Sequence, residues 1–417
     1  MTNLWRRFYF ITCAALVIGW VIFAFAKDRI AVAIAARFGG LLLRVGQGKF
    51  RDADIFVRHR LHEALWLATL AVVFVAAQWA LNRLMRGRIK QAQWAIAGAA
   101  GFVWLNVWMG AAMNTALFWG IMGAGAGVQN LMQFHLKRIL AEENSVPNRA
   151  VLVGSSQTRA EIDEDLLNEL LGTDLWTTEL HFPGAHSYDL LLIERQLQRV
   201  HPQMVICYLS EGYFYTGSRG ETPPNFLGFS DISDGWHRGV QHYLSNEEML
   251  SGLLGASMPL FRCREVLALR LLGAPTVQLK QHEYDTSLES NLETRAAEQA
   301  GGFRLTKESE FQKQAFEDFV ARCQRANRRI ILLVGGHNPI LARRIDPAIR
   351  ADMLNFLDQL QSRYSLVSLV PETDLVEQTS ADYVDLNHVN RDTQLRFTRA
   401  LAKVLRGFLQ ESARTKP

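Results

Sequence analysis

Ala150-Val151-Leu152-Val153-Gly154-Ser155-Ser156-Gln157-Thr158-Arg159 is the stretch whose reading decides the fold. A short apolar run stopping at a glycine and two serines reads as a strand buried on both faces, then a tight turn, with a helix beginning near Ile162. Four later runs have the same form. They are Leu175–Phe182 before Pro183-Gly184, Met204–Leu209 after His201-Pro202, Ile330–Val334 before Gly335-Gly336, and Ser365–Val370 before Pro371. Between them, 189–200, 309–327, 347–363 and 391–409 carry apolar residues at three-and-four spacing, the helical period. This alternation predicts an α/β domain over 148–410, a parallel sheet flanked by helices. Residues 212–305, with Gly, Pro, Asn and Asp-Thr-Ser clusters, interrupt it and read either as an insertion over the binding edge or as a surface excursion. Residues 411–417 form a tail.

Upstream of this domain the chain changes solvent. Its 417 residues carry a net charge of +4, but residues 1–126 hold 14 Lys+Arg against 4 Asp+Glu, leaving 31 against 37 for the remainder. The larger part is mildly acidic, which removes support for nucleic-acid binding. Composition also excludes collagen, disorder and a disulfide scaffold. Three apolar segments predict a membrane anchor of about three transmembrane helices over 1–126: 8–26, long enough at ~1.5 Å per residue to span and read as an uncleaved signal-anchor, 64–81, ending in Arg83, Arg86, Arg88 and Lys90, and 94–122. A polar connector, 127–147, follows. Three spans with the N-terminus inside place the α/β domain outside the cytoplasm, at a bacterial inner membrane. Against this, 27–60 carries eight Lys+Arg, more than an exported loop should, unless Arg29–Val45 is an amphipathic helix lying at the interface. Cys207, Cys263 and Cys323 have neither metal nor redox spacing.

In such a sheet the loops at the carboxyl ends of the strands converge, so polar residues just after strands are the candidates for chemistry. Ser156 is one: a serine at a glycine-containing strand-to-helix turn holds its hydroxyl at the sheet edge, beside amides that point at whatever it attacks. The alternative is a capping serine. Near the other end, Tyr383-Val384-Asp385-Leu386-Asn387-His388 sets a carboxylate three residues before a histidine. Asp385 can accept from one imidazole nitrogen of His388 while the other faces the serine hydroxyl, which fixes the tautomer of a general base.

Gly154-Ser155-Ser156, Gly184, Ser210-Glu211 and Asp385-x-x-His388, in this order, resemble the four blocks of the SGNH/GDSL hydrolase superfamily. The resemblance spans roughly 148–410 and implies a flavodoxin-like sheet. It implies Ser156 as nucleophile, His388 as general base, Asp385 as its orienting acid, and an oxyanion hole from the amides of Ser156 and Gly184. The usual Gly-Asp-Ser is Gly-Ser-Ser here, and the usual Gly-x-Asn-Asp reads Tyr208-Leu209-Ser210-Glu211, so Ser210 is the candidate for the missing asparagine donor. Such departures, together with N-terminal spans, are similar to the membrane-anchored branch that includes alginate O-acetylation proteins and the D-alanyl transfer protein of teichoic-acid modification.

The implied activity is a serine O-acyltransferase or esterase that transfers or removes an acyl (acetyl) group on an envelope or secreted polysaccharide. The acyl donor would be passed across the bilayer by a membrane acyltransferase partner, with Asn106 and Asn114 as candidate contacts. No cofactor is expected. Two other readings stay open: an idle scaffold or polymer-binding subunit, supported by the missing Asn-Asp block, and a cytoplasm-facing lipid esterase, supported by the basic 27–60 loop. Further candidates for substrate contact are His337 and Asn338 after the fourth strand, where a Gly/Asn-Pro turn is the alternative. Arg159 could meet an anion or pair with Asp163, and Tyr213 could stack on a sugar or pack beneath the loop. His181, His186 and His337 lack a standard ligand spacing, so no metal is expected. Gly123–Gly127 follows no strand and reads as close helix packing rather than a phosphate loop.

Overall fold

A computed structural model describes residues 90–113, 148–181, 184–216, 246–263, 291–371 and 375–414, with scattered positions between 64 and 83. The chain divides into two compact units. The first holds the described residues of 64–113 and 247–263, and the second those of 148–216 and 291–414.

In the first unit, α1 is Lys90–Met113, within which the expected third span begins. Among the described residues no helix is long and apolar enough to cross a membrane. The expected span 8–26, the end of 94–122 and the connector as far as 147 lie outside the described residues.

The second unit begins with β1 (Arg149–Gly154), α2 (Ser156–Glu161), α3 (Glu164–Leu171), β2 (Trp176–His181), α4 (Ser187–Val200) and β3 (Met204–Leu209). The chain then leaves for the first unit, where α5 (Asn246–Ser257) and α6 (Pro259–Arg262) form. It returns through α7 (Leu292–Gly302), α8 (Lys307–Arg325), β4 (Arg329–Val334), α9 (Pro339–Ala342), α10 (Pro347–Arg363), β5 (Val367–Val370) and α11 (Arg391–Arg414). The five strands are all parallel, in the order β2-β1-β3-β4-β5. This is the doubly wound order in which the chain reverses direction between β1 and β3, opening a crevice at their carboxyl ends.

Alternation along the strands builds two cores. Ala150, Leu152, Met204, Ile206, Tyr208, Ile331 and Leu333 face Leu167 and Leu171 of α3 and Phe397, Leu401 and Leu405 of α11. Val151, Val153, Val205, Cys207, Leu209, Ile330 and Leu332, equally buried, point the other way. Phe214, Phe316 and Phe356 meet edge to face and fill the space beside α8 and α10.

One expectation needs correction. The helix after β1 starts at Ser156 rather than near Ile162, because Ser155 takes the cap position and its Oγ accepts from the Gln157 amide (3.3 Å). Ile162 instead adopts an extended conformation and separates two short helices, the second capped by Asp163. Within the insertion 212–305, the described residues 247–263 belong to the first unit, while 212–216 and 291–305 belong to the second.

Candidate active site

The turn after β1 has no room for a side chain at its glycine. A Cβ on Gly154 would lie 1.8 Å from Thr158 Oγ1 and 2.9 Å from the Tyr213 hydroxyl. Because α2 folds back so tightly over the strand end, Ser156 is its first residue and stands at the sheet edge.

The Ser156 hydroxyl lies 2.9 Å from Nε2 of His388, whose Nδ1 lies 2.7 Å from Oδ2 of Asp385. The other carboxylate oxygen of Asp385 accepts from the amides of Asn387 (2.7 Å) and His388 (2.8 Å). Burial by itself would raise the Asp385 carboxyl. The hydrogen bond and charge of His388, with those two amides, more than reverse that and hold it below the usual carboxylate range. An ionised Asp385 only accepts, so Nδ1 of His388 donates to it, and Nε2 is left to accept from Ser156. The loop is fixed from behind: Asn338 donates from Nδ2 to the Asp385 carbonyl (3.1 Å) and from its backbone N–H to Leu386 (3.0 Å), while Val384 N–H donates to the His388 carbonyl (2.9 Å).

Ser156 and His388 open into a cavity of about 380 Å³ whose wall includes Gly184, Ala185, Gln299 and Phe303. Gly184 has φ 69°, a conformation that glycine adopts freely, and it brings the backbone of the β2–α4 turn to the cavity beside Ser156.

The other sequence candidates fare differently. Ser210 is fully buried, and its hydroxyl donates to Oε1 of Gln157 (2.6 Å), so it holds a neighbouring side chain and does not line the cavity. Tyr213 reaches the cavity wall but is buried beneath it, with its hydroxyl against the Gly154 turn, so it presents no face for a sugar to stack on. Burial raises its phenol well above the ordinary value. Asn338 is committed to the Asp385 loop and to the cap of α9. Arg159 is outside the cavity wall, and Asp163, the partner its spacing suggested, pairs with Arg391. His337 does line the cavity. Its Nε2 lies 3.1 Å from Oε2 of Glu211, and its Nδ1 lies 2.9 Å from Oδ1 of Asn387. Burial would raise the Glu211 carboxyl, but His337 on one oxygen and Arg350 on the other (3.0 Å) bring it down to about 2.

Sequence reading missed the amides. Gln157 follows Ser156, Asn387 precedes His388, and Asn387 exchanges hydrogen bonds with Gln299 of α7 (3.1 and 3.3 Å). Adjacency to Ser156 and His388 was the only signal for the first two, and Gln299, inside the insertion, had none. His186 lines the cavity and lies 2.7 Å from the Thr216 hydroxyl, whereas His181 pairs with Glu179 (3.3 Å). Among the described residues no group of His, Cys, Asp and Glu is arranged to hold a metal ion.

No family model and no curated protein matches this chain. The arrangement itself, a hydroxyl, an imidazole and a carboxylate in line beside a cavity, can carry out nucleophilic acyl transfer.

Proposed function

We propose that this chain is a membrane-anchored serine O-acyltransferase or esterase of the SGNH type, acting on an envelope or secreted polysaccharide from outside the cytoplasm of a bacterium. The observation that carries the proposal is the Ser156–His388–Asp385 relay at 2.9 and 2.7 Å. His388 Nε2 takes the Ser156 proton as Oγ bonds to the acyl carbon of an ester or thioester. The oxyanion that forms accepts from the Ser156 and Gly184 amides. On collapse the carbon–leaving-group bond breaks, and the departing oxygen or sulfur takes the proton from His388. A sugar hydroxyl then gives its proton to His388 and attacks the acyl-serine, releasing the acylated sugar and free Ser156. Water in place of the sugar yields hydrolysis. A membrane partner that carries the acyl group across the bilayer would supply the donor.

The test is labelling by a fluorophosphonate, which should mark the wild type and spare Ser156→Ala. In a deletion strain, Ser156→Ala and His388→Ala should fail to restore ester groups on the polymer. Full restoration by both would end the catalytic reading and leave a scaffold. A cytoplasm-only fluorescent reporter after Pro417 should stay dark, and a bright fusion would reverse the topology.

A further inference from the structure

Within the insertion, α5 and α6 belong to the same compact unit as α1, and α6 packs against α1. A Cβ on Gly110 of α1 would lie 3.0 Å from the Pro259 ring, so the two backbones approach closely there. Leu260 N–H donates to Oδ1 of Asn106 (3.2 Å), and Asn106 Nδ2 donates to the Phe102 carbonyl (3.0 Å).

Two observations identify the medium around this pair. The first is apolar exposure. Asn106, Met109 and Met113 are buried at helical spacing on one side of α1, while Phe102, Val103, Leu105 and Val107 are 47–59% exposed. Leu250, Leu253 and Leu254, an i, i+3, i+4 stripe on α5, are 37–58% exposed. The second is where the polar side chains turn. Thr69 donates to Leu65 O (2.9 Å), Trp108 to Leu67 O (3.3 Å) and Ser257 to Leu253 O (2.8 Å), so these groups, like Asn106, bond back into the protein. Water makes no such demand, and hydrocarbon does. Charge agrees. Residues 91–136 contain no Asp, Glu, Lys or Arg, whereas Arg83, Arg86 and Arg88 precede α1 and Lys90 opens it; Arg262 ends α6 with Arg264 just beyond it, cations complementary to lipid phosphates, and the only acids of the element, Glu247 and Glu248, sit in the first turn of α5.

We infer that residues 247–263 form a re-entrant, lipid-seated element, held to α1 through Pro259 and Leu260 of α6 among the acyl chains of a bilayer. Twelve residues of α5 reach only ~18 Å, so it enters the acyl layer without crossing it. The inference rests on the membrane reading above but not on the catalytic one. Leu253→Cys, Val103→Cys and, as an exposed control on α11, Lys403→Cys can be spin-labelled one at a time in the full chain, with Cys13→Ser, and reconstituted in phosphatidylcholine/phosphatidylglycerol vesicles. At Leu253 and Val103 dissolved oxygen should relax the label more than a water-soluble nickel chelate, and at Lys403 the ratio should invert. Chelate access at Leu253 equal to that at Lys403 would overturn the inference. So would protection that vanishes when the protein is diluted among excess vesicles, because a second copy would then be the cover. Fluorophosphonate labelling of Ser156 in the same samples separates the two proposals: lost labelling with lipid-type accessibility refutes catalysis alone, and retained labelling with aqueous accessibility refutes the lipid-seated element alone.

Discussion

Replacing Ser210 by alanine separates two roles that its position allows. As an oxyanion donor its hydroxyl would be worth roughly 10²–10³ in kcat. The geometry assigns it a supporting role instead, since it is fully buried and donates to Gln157 Oε1 at 2.6 Å. Removing it leaves a buried amide oxygen without that donor, which costs about 1–3 kcal/mol of stability. The catalytic loss should be smaller, because Gln157 is the residue after Ser156 and its loosening displaces the nucleophile only indirectly. About 1 kcal/mol passed to the transition state is less than a tenfold slowing. Acylation measured as the burst with p-nitrophenyl acetate, beside urea unfolding of the same preparation, reads both quantities. Ser210→Ala should lower the unfolding midpoint clearly and slow the burst less than tenfold. Gln157→Ala added to Ser210→Ala should cost less than the two single effects together, since both remove one interaction. A burst slowed a hundredfold with an unchanged midpoint would refute the reasoning and return Ser210 to the oxyanion.

Asp385→Asn should slow acylation by roughly 10³–10⁴-fold, since an amide at Oδ2 can present a donor to Nδ1 and turn the wrong tautomer toward Ser156; fluorophosphonate labelling rates check it, and a loss under tenfold would contradict the relay. Glu211 is held at about 2 against its ordinary 4.5. Its ionised form therefore adds stability that is complete above about 4.5 and lost as pH falls toward 2, on the order of 3 kcal/mol. Urea midpoints across that window should fall steeply in the wild type and flatten in Glu211→Gln, which should already be less stable at neutral pH because His337 and Arg350 lose their carboxylate. Gly154→Ala should destabilise the domain by about 1–3 kcal/mol through overpacking against Thr158, and Thr158→Ala should relieve part of it; thermal melts of the three variants decide.

What could be read in advance follows from what a linear pattern encodes. Strands buried on both faces must be continuous apolar runs, so 204–209 matched to the residue and the other four within about two. That Ser156, His388 and Asp385 would meet was legible because they follow strands, or precede the last helix, at loop positions the sheet brings together. Amides were not. Gln157, Gln299 and Asn387 carry no chemistry of their own, and their value lies in partners 50 to 230 residues away. The sequence left Ser210 and Tyr213 open for a related reason. A hydroxyl or ring at a strand end is available to substrate only if nothing nearer claims it, and here Gln157 claims the one while the Gly154 turn covers the other. α6 was illegible because, among the described residues, it packs against α1, about 150 residues upstream.

The network behind the cavity explains how a departure from the resembling pattern can leave the relay in order. β1 and β3 are neighbours, so Ser156 after one and Ser210-Glu211 after the other meet at the same edge. A glutamate at 211 reaches further than an aspartate, and its two oxygens engage Arg350 of α10 and His337 after β4. His337 meets Asn387, and Asn387 lies between the two members of the relay that Asn338 also fixes. The third strand end is therefore linked to the Asp385–His388 loop through His337 after β4. If that is how the site is held, Glu211→Gln should lower kcat with little change in KM, because it loosens His388 without touching substrate. Partial recovery in Glu211→Asp, whose shorter carboxylate still carries the charge, would show that pairing with His337 and Arg350 is what matters. A rise in KM at unchanged kcat would place Glu211 and His337 in substrate binding instead.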